Sequence, residues 1–236
     1  MKIEELNLHV WRGKHVRAAA AGIATGFAAL DEHLPGRGWP SGALTEILVD
    51  RYGIGELSLL MPALAALTRH GATRAEKWVT WISPPMIPYA PALQQYGVAV
   101  EHLLVIQPPR DGKNRLWAVE QVVRSGTSSA VLAWLSAASQ VALRRLQLAA
   151  EEHGCWVVLF RPLDARRERS PAALRIRLWR EQCSARLEIL KCRGGRPGIV
   201  DVTAGFPHSD EPLCRAERRP QRADSGDSRG GLVTVC

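Results

Sequence analysis

Residues 43–67 carry the pattern of a nucleotide-binding loop without the groups that would do its chemistry. They read ALTEILVDRYGIGELSLLMPALAAL, an apolar stretch, a short glycine-containing turn and a second apolar stretch. A working phosphate loop reads GxxxxGK[ST]: its backbone N–H groups wrap the phosphates, its lysine reaches the terminal ones, and its hydroxyl holds Mg²⁺. The pattern therefore predicts the strand, turn and helix of such a site.

Aligned on Gly55, the substitutions remove phosphate binding and metal binding together. Asp50 stands at the first glycine position and Glu56 at the lysine position, and Leu57 replaces the hydroxyl residue, while Gly53 remains inside the turn. Two carboxylates would then face the phosphates, and no side chain would hold the metal. We predict that this turn is a vestigial phosphate loop that binds no nucleotide or other cofactor.

The other residues of nucleotide hydrolysis are missing as well. The segment AVLAWL has Trp134 where such enzymes place a metal-binding Asp, and ISPPM has Ser83, Pro84 and Pro85 where a Glu would activate water. The seven histidines lie far apart, without a Cys or carboxylate at metal-ligand spacing, and no serine lies in a G-x-S-x-G motif. We therefore predict no catalytic residue and no metal site, and we expect a binding or scaffolding protein rather than an ATPase.

An arginine-rich connection forms the second candidate site. The segment FRPLDARRERSP follows a predicted core strand and contributes four arginines: Arg161, Arg166, Arg167 and Arg169. Between positions 161 and 196, eleven Arg or Lys stand against four Asp or Glu, within a net charge of +8 for the whole chain. Because such a connection lies at the carboxyl edge of a parallel sheet, we predict that the four arginines contact single-stranded DNA or an acidic partner. A solvated, arginine-rich surface is the alternative.

Strands and helices alternate through the part of the chain that carries both sites. The predicted strands cover residues 44–49, 78–83, 103–106, 130–135 and 155–160, and the predicted helices cover 56–69, 90–96, 115–125 and 140–153. This alternation predicts an α/β fold with a mostly parallel sheet and helices on both faces. Alternating apolar and polar residues at 174–179 and 186–192, followed by 199–202, predict antiparallel strands at one edge. We interpret Trp179 there as packed rather than stacked on a base.

Length and composition fit one globular core with a segment at each end. The chain has 236 residues, 46% of them hydrophobic. We predict a helical arm over residues 1–24, a core over 25–206 that opens with a loop rich in Pro and Gly, and a disordered tail over 207–236. Without a long apolar run, a signal-peptide pattern or a CxxC pair among the five cysteines, we expect a cytoplasmic protein with free thiols and no membrane contact.

Four segments resemble the ImuA family of translesion-synthesis accessory proteins, which is similar to RecA and to the division inhibitor SulA. They are TGFAALDEHLPGRGWPSGALTEIL, the YGIGE turn, the ISPP stretch and the AVLAWL strand. The resemblance covers roughly residues 11–203 and implies a RecA-like core. The chain departs from RecA at Asp50, Glu56, Leu57 and Trp134, so recombinase activity is not implied.

The resemblance implies a non-catalytic role in DNA-damage-induced mutagenesis. The implied partner is an ImuB-like inactive Y-family polymerase, and RecA, an error-prone DnaE-type polymerase and single-stranded DNA are further candidates. The protein would then be nucleoid-associated when engaged. The alternative is a SulA-like inhibitor that binds the division protein FtsZ. We also predict that partner contacts extend into a terminal segment, since the tail clusters four arginines and the arm carries apolar residues between positions 6 and 11.

Overall fold

The computed structural model describes residues 21–69, 77–109, 112–181 and 184–202. The predicted arm lies outside these residues except for positions 21–24, and the predicted tail lies wholly outside them.

One mixed sheet organises the described chain. Its strands are β1 (Leu44–Val49), β2 (Trp78–Ile82), β3 (Leu103–Ile106), β4 (Ser128–Trp134), β5 (Trp156–Pro162), β6 (Leu174–Glu181), β7 (Ser184–Cys192) and β8 (Gly198–Asp201). They lie in the order β3-β2-β4-β5-β1-β6-β7-β8. Strands β1 to β6 pair in parallel, and β7 and β8 pair antiparallel at one edge. The predicted mostly parallel sheet with an antiparallel edge is confirmed.

Helices pack on both faces of the sheet, as the alternation predicted. They are α1 (Ala28–His33), α2 (Met61–Thr68), α3 (Ala90–Gln95), α4 (Gly112–Ser125) and α5 (Gln140–His153). Helices α1, α2 and α3 bury apolar residues in the larger of two clusters, and α4 and α5 bury theirs in the smaller cluster on the opposite face. Because β1 lies between β5 and β6 with all six of its residues buried, this strand is the centre of the core.

Two larger differences separate the structure from the sequence prediction, while most other element boundaries shift by one to three residues. The segment before β1, predicted as a loop, contains α1 and a bridge between Ile23 and Trp39, and the Trp39 ring stacks on Trp156 at 5.5 Å. Helix α2 begins at Met61 rather than at residue 56. The proline beside Met61 lies in the first turn, where its missing N–H breaks no helical hydrogen bond, and residues 50–60 form turns instead.

Within the described residues, no helix combines the length and the apolar character that crossing a bilayer requires.

Candidate functional site at the carboxyl edge of the sheet

The sheet brings the residues of both predicted sites to the same edge. Strands β1, β2, β4 and β5 run in parallel, so their carboxyl ends meet there. The turn 50–57, residues Ser83 and Trp134, and the connection 161–169 follow or end these strands. Because β1 and β5 are neighbours, the parallel topology places the turn 50–57 and the arginine-rich connection next to one another.

A carboxylate of the protein itself occupies the backbone N–H groups of the turn. Gly53 N donates to Glu56 Oε1 at 2.8 Å and to Oε2 at 3.0 Å, and Ile54 N donates to Oε2 at 3.0 Å. Glu56 is only 4% exposed. Backbone N–H groups of this kind hold an anion in a phosphate loop. Glu56 thus does more than repel a phosphate, which is all that the sequence suggested, because it takes up the donors that a phosphate would use.

The other residues of the turn support this closed arrangement. Gly53 has φ +86° and Gly55 has φ +104°, values that favour glycine, so the two glycines keep the tight backbone path. Leu57 packs against the larger apolar cluster, and Asp50 points outward with Oδ2 3.8 Å from Arg177 Nη2. Burial, and then the Glu56 carboxylate, raise the pKa of Tyr52 above its ordinary value.

Aromatic side chains pack together near the carboxyl ends of β2, β4 and β5. Trp134 is buried, stacks on Phe160 with 4.7 Å between ring centroids, and lies 5.8 Å from the Trp81 ring. Ser83 is buried with φ 53° at the end of β2. The position that would carry a metal-binding Asp therefore belongs to the hydrophobic core. Among the described residues, no group of three or more His, Cys, Asp or Glu could hold a metal ion.

The structure corrects one of the four predicted arginine contacts. Arg161 is 0% exposed, so it does not lie on the surface that a DNA strand or a partner would meet. Its Nη1 donates to Glu46 Oε1 at 2.9 Å and its Nη2 donates to Glu168 Oε2 at 2.8 Å. Burial alone would lower the pKa of the Arg161 guanidinium, but the hydrogen bonds to Glu168 and Glu46 outweigh burial and raise it.

Glu46 is the centre of this buried ion cluster. It lies in the middle of β1, directly opposite Arg175 in the neighbouring strand β6. Arg175 Nε lies 2.7 Å from Glu46 Oε2, while its Nη1 and Nη2 donate to the carbonyl oxygens of Glu168 and Ala165 at 3.0 and 2.7 Å. Arg161 and Arg175 thus tie the arginine-rich connection to the central strand. Our sequence analysis missed Glu46 and Arg175, although a carboxylate within the apolar segment LTEILV was a signal that a buried cation must accompany it.

The remaining three arginines lie on the surface. Residues 163–167 form a short 3₁₀ helix, from which Arg166 donates to Glu188 Oε1 at 2.7 Å. Arg167 and Arg169 are exposed, and neither forms an ion pair within the described part of the chain. Arg169 also lines a groove of about 660 Å³ together with Lys113 and the first turn of α5. The predicted contact surface is therefore fixed in place by the buried cluster beneath it.

We predict that Glu46→Ala lowers the free energy of unfolding by about 3–5 kcal/mol, because it leaves Arg161 and Arg175 buried without their shared carboxylate. Urea denaturation followed by circular dichroism measures this change. Glu120→Ala is the matched control, since Glu120 pairs with two half-exposed arginines on α4 and α5 and should cost no more than about 1 kcal/mol. Equal losses for the two variants would contradict the central role of Glu46.

We also predict that Glu56→Ala destabilises the protein by about 1–3 kcal/mol, because the N–H groups of Gly53 and Ile54 lose their acceptor. Glu56→Gln should cost less, since its amide oxygen still accepts a hydrogen bond. Thermal unfolding of both variants, with the exposed Glu152→Ala as control, tests this order. A Glu56→Ala protein as stable as the wild type would show that the carboxylate does not hold the turn.

Comparison with known proteins gives two kinds of relative. No family model matches the chain. Protein ImuA from two strains of Caulobacter vibrioides is 27% identical over 202 residues, covering 75% of this chain and 80% of the relative. A crystal structure of SulA from Pseudomonas aeruginosa is 27% identical and covers 50% of this chain and 97% of its own, with a TM-score of 0.41. The resemblance that the sequence motifs predicted is confirmed, and the chain is a relative of ImuA.

Proposed function

We propose that the protein is a non-catalytic accessory protein of an SOS-induced translesion DNA synthesis complex and acts in damage-induced mutagenesis. The similarity to ImuA carries this proposal, since it extends over 75% of this chain and 80% of the relative. In the same proposal the α/β core is RecA-like, with the turn 50–57 in the place of the phosphate loop. The turn after the central strand β1 supports this assignment.

The geometry of the carboxyl edge supports a role without ATP hydrolysis. Glu56 holds the N–H groups of Gly53 and Ile54 that a phosphate would need. Trp134 fills the metal position with an indole ring that is stacked on Phe160. Binding a nucleotide would require both side chains to leave buried positions, which costs hydrogen bonds at the turn and apolar contacts in the core.

The partners in this proposal are proteins that act at damaged DNA. An ImuB-like inactive Y-family polymerase is the main one, with RecA, an error-prone DnaE-type polymerase and single-stranded DNA as further partners. The protein then works in the cytoplasm, at the nucleoid when engaged. The competing function is inhibition of FtsZ polymerisation. It requires binding to FtsZ and no binding to a polymerase.

We predict that a terminal segment contributes to partner binding. Ending the chain after Phe206, or starting it at Thr25, should reduce both the pull-down of an ImuB-like partner and the frequency of damage-induced mutation. Because the described core begins near residue 21 and ends at residue 202, both truncated proteins keep almost all of the sheet and its helices.

Circular dichroism and thermal unfolding first confirm that the truncated proteins fold. Full partner binding and full mutagenesis by both would place the binding surface on the core and contradict this prediction. A wild-type protein that does not bind the ImuB-like partner, but reduces the amount of polymerised FtsZ that sediments, would overturn the proposed function in favour of the competing one.

We further predict that the surface arginines of the connection contact a polyanion. Replacing Arg166, Arg167 and Arg169 by Ala should weaken binding to single-stranded DNA more at low salt than at high salt. Each lost phosphate contact should reduce the slope of log K against log [salt] by about 0.7. Fluorescence anisotropy across a salt series measures both quantities.

The control for this triple variant removes the same charge from another surface. Arg124, Arg144 and Arg145 lie on α4 and α5 and are exposed, so their replacement by Ala tests whether total charge alone sets the affinity. Equal effects of the two triple variants would show that the connection has no special part in binding.

A further inference from the structure

Strands β6, β7 and β8 leave one face of the sheet uncovered by the helices of the described chain. On the inner face their apolar residues enter the larger cluster, as Ile176, Leu187 and Val200 do. On the other face, the cluster beneath α4 and α5 draws its strand residues from β1, β2, β4 and β5 and includes none from β6, β7 or β8. Beyond the buried Arg175, the outward side chains of these three strands are partly or fully exposed: Arg177, Trp179 and Glu188 partly, Arg186 and Ile199 fully.

This open face combines an aromatic ring with cations. The register places Arg177 opposite Glu188 and Trp179 opposite Arg186, and Ile199 lies opposite Glu188 on the next strand. The guanidinium carbon of Arg177 lies 5.2 Å from the centroid of the Trp179 ring. Trp179 is half-buried and belongs to neither apolar cluster, and its Nε1 donates to Glu181 Oε1 at 3.2 Å, so it packs against neighbouring side chains of this face. We call Arg166, Arg177, Trp179, Arg186 and Ile199 the arginine–tryptophan face.

The face is continuous with the connection after β5. Glu188 accepts a hydrogen bond from Arg166 at 2.7 Å and lies 4.0 Å from Arg177, so one carboxylate is shared between two guanidinium groups. Arg177 also lies 3.8 Å from Asp50. Arg186 is exposed and has no ion-pair partner among the described residues. Together with Arg167 and Arg169 on the connection, five arginines lie on this surface beside four carboxylates, those of Asp50, Glu181, Glu188 and Asp201, of which Asp201 lies opposite Arg186 in the register.

We propose that the arginine–tryptophan face binds single-stranded nucleic acid. Trp179 and Arg177 form a platform on which a base stacks, and Arg186 and Arg166 contact the flanking phosphates. An open sheet face with an aromatic ring between cations suits an unpaired strand, because every base has a π-face and every linkage carries a charge. An acidic protein surface would form ion pairs with the arginines but would provide no base to stack on the Trp179 ring. The inference rests on the proposed function only in that lesion bypass takes place on single-stranded DNA.

The test measures the affinity of the full-length protein for a fluorescein-labelled oligothymidylate by anisotropy. Trp179→Ala should weaken binding about tenfold, since a base loses its stacking partner. Trp179→Phe should retain most of the affinity, because the aromatic ring remains. Arg186→Ala should weaken binding at low salt and reduce the salt slope by about 0.7.

Two controls lie outside the arginine–tryptophan face, on α4. Trp117 on α4 is 62% exposed, and Arg124 on the same helix is half-exposed, so Trp117→Ala and Arg124→Ala remove the same side-chain types from outside the face. Both should leave the affinity unchanged. Thermal unfolding of each variant separates loss of binding from loss of folding, and Arg186→Ala decides the question if Trp179→Ala does not fold.

Binding by Trp179→Ala equal to that of Trp117→Ala would overturn the inference, and so would an Arg186→Ala protein with unchanged affinity and salt slope. So would a wild-type protein that binds an acidic polypeptide such as polyglutamate but no oligothymidylate, because the face would then be a protein-binding surface. Pull-down of the ImuB-like partner by Trp179→Ala distinguishes a failure of the DNA-binding inference from a failure of the proposed function. A variant that loses DNA but keeps the partner supports the face, whereas a wild-type protein that binds DNA but no polymerase contradicts the proposed function alone.

Discussion

A single buried carboxylate connects the core of this protein to its candidate binding surface. Glu46 lies in the central strand with no exposed surface, and Arg161 and Arg175 reach it from the strands on either side. A carboxylate in such a position is stable only when cations and hydrogen bonds replace its water. The same two arginines hold the connection after β5 through Glu168 and Ala165, so the surface beyond them has one fixed position.

Side chains of the protein itself fill the carboxyl edge of the sheet. In the turn after β1, Glu56 provides from within the chain the negative charge that the backbone N–H groups attract. At the end of β4, the Trp134 indole is stacked on Phe160 and tilted against Trp81, so this position belongs to the core. Both arrangements stabilise the folded chain, because the N–H groups of the turn gain an acceptor and the aromatic rings are removed from water.

The antiparallel extension gives the protein a surface that a parallel sheet covered on both faces lacks. Successive residues of β6 to β8 point to opposite sides, so one set of side chains enters the larger apolar cluster and the other lies on the face that no described helix covers. The second set includes the partly exposed Arg177 and Trp179 and the exposed Arg186, next to Arg166 on the connection. Two elements that are separate in sequence, the 3₁₀ turn and the β6–β7 hairpin, thereby form one cationic and aromatic surface.

The sequence by itself determined the order of the elements. Periodicity located β1, β3 and α5 at their observed bounds, and the identities at Glu56, Leu57 and Trp134 showed the departure from the phosphate-loop pattern, since each is a local property of the chain. The start of α2 was harder to predict from the sequence, because it depends on turns held by a side-chain contact rather than on apolar periodicity.

Only the tertiary structure decided which charged groups are internal and which face solvent. Arg161 and Arg166 lie in the same basic segment of the sequence, yet the first is fully buried beside Glu46 and the second pairs with Glu188 at the surface. Trp179 belongs to a strand whose pattern gives alternation but not which of its faces a helix covers. These distinctions arise from pairing between strands far apart in sequence, and burial, charge pairing and surface continuity exist only once that pairing has formed.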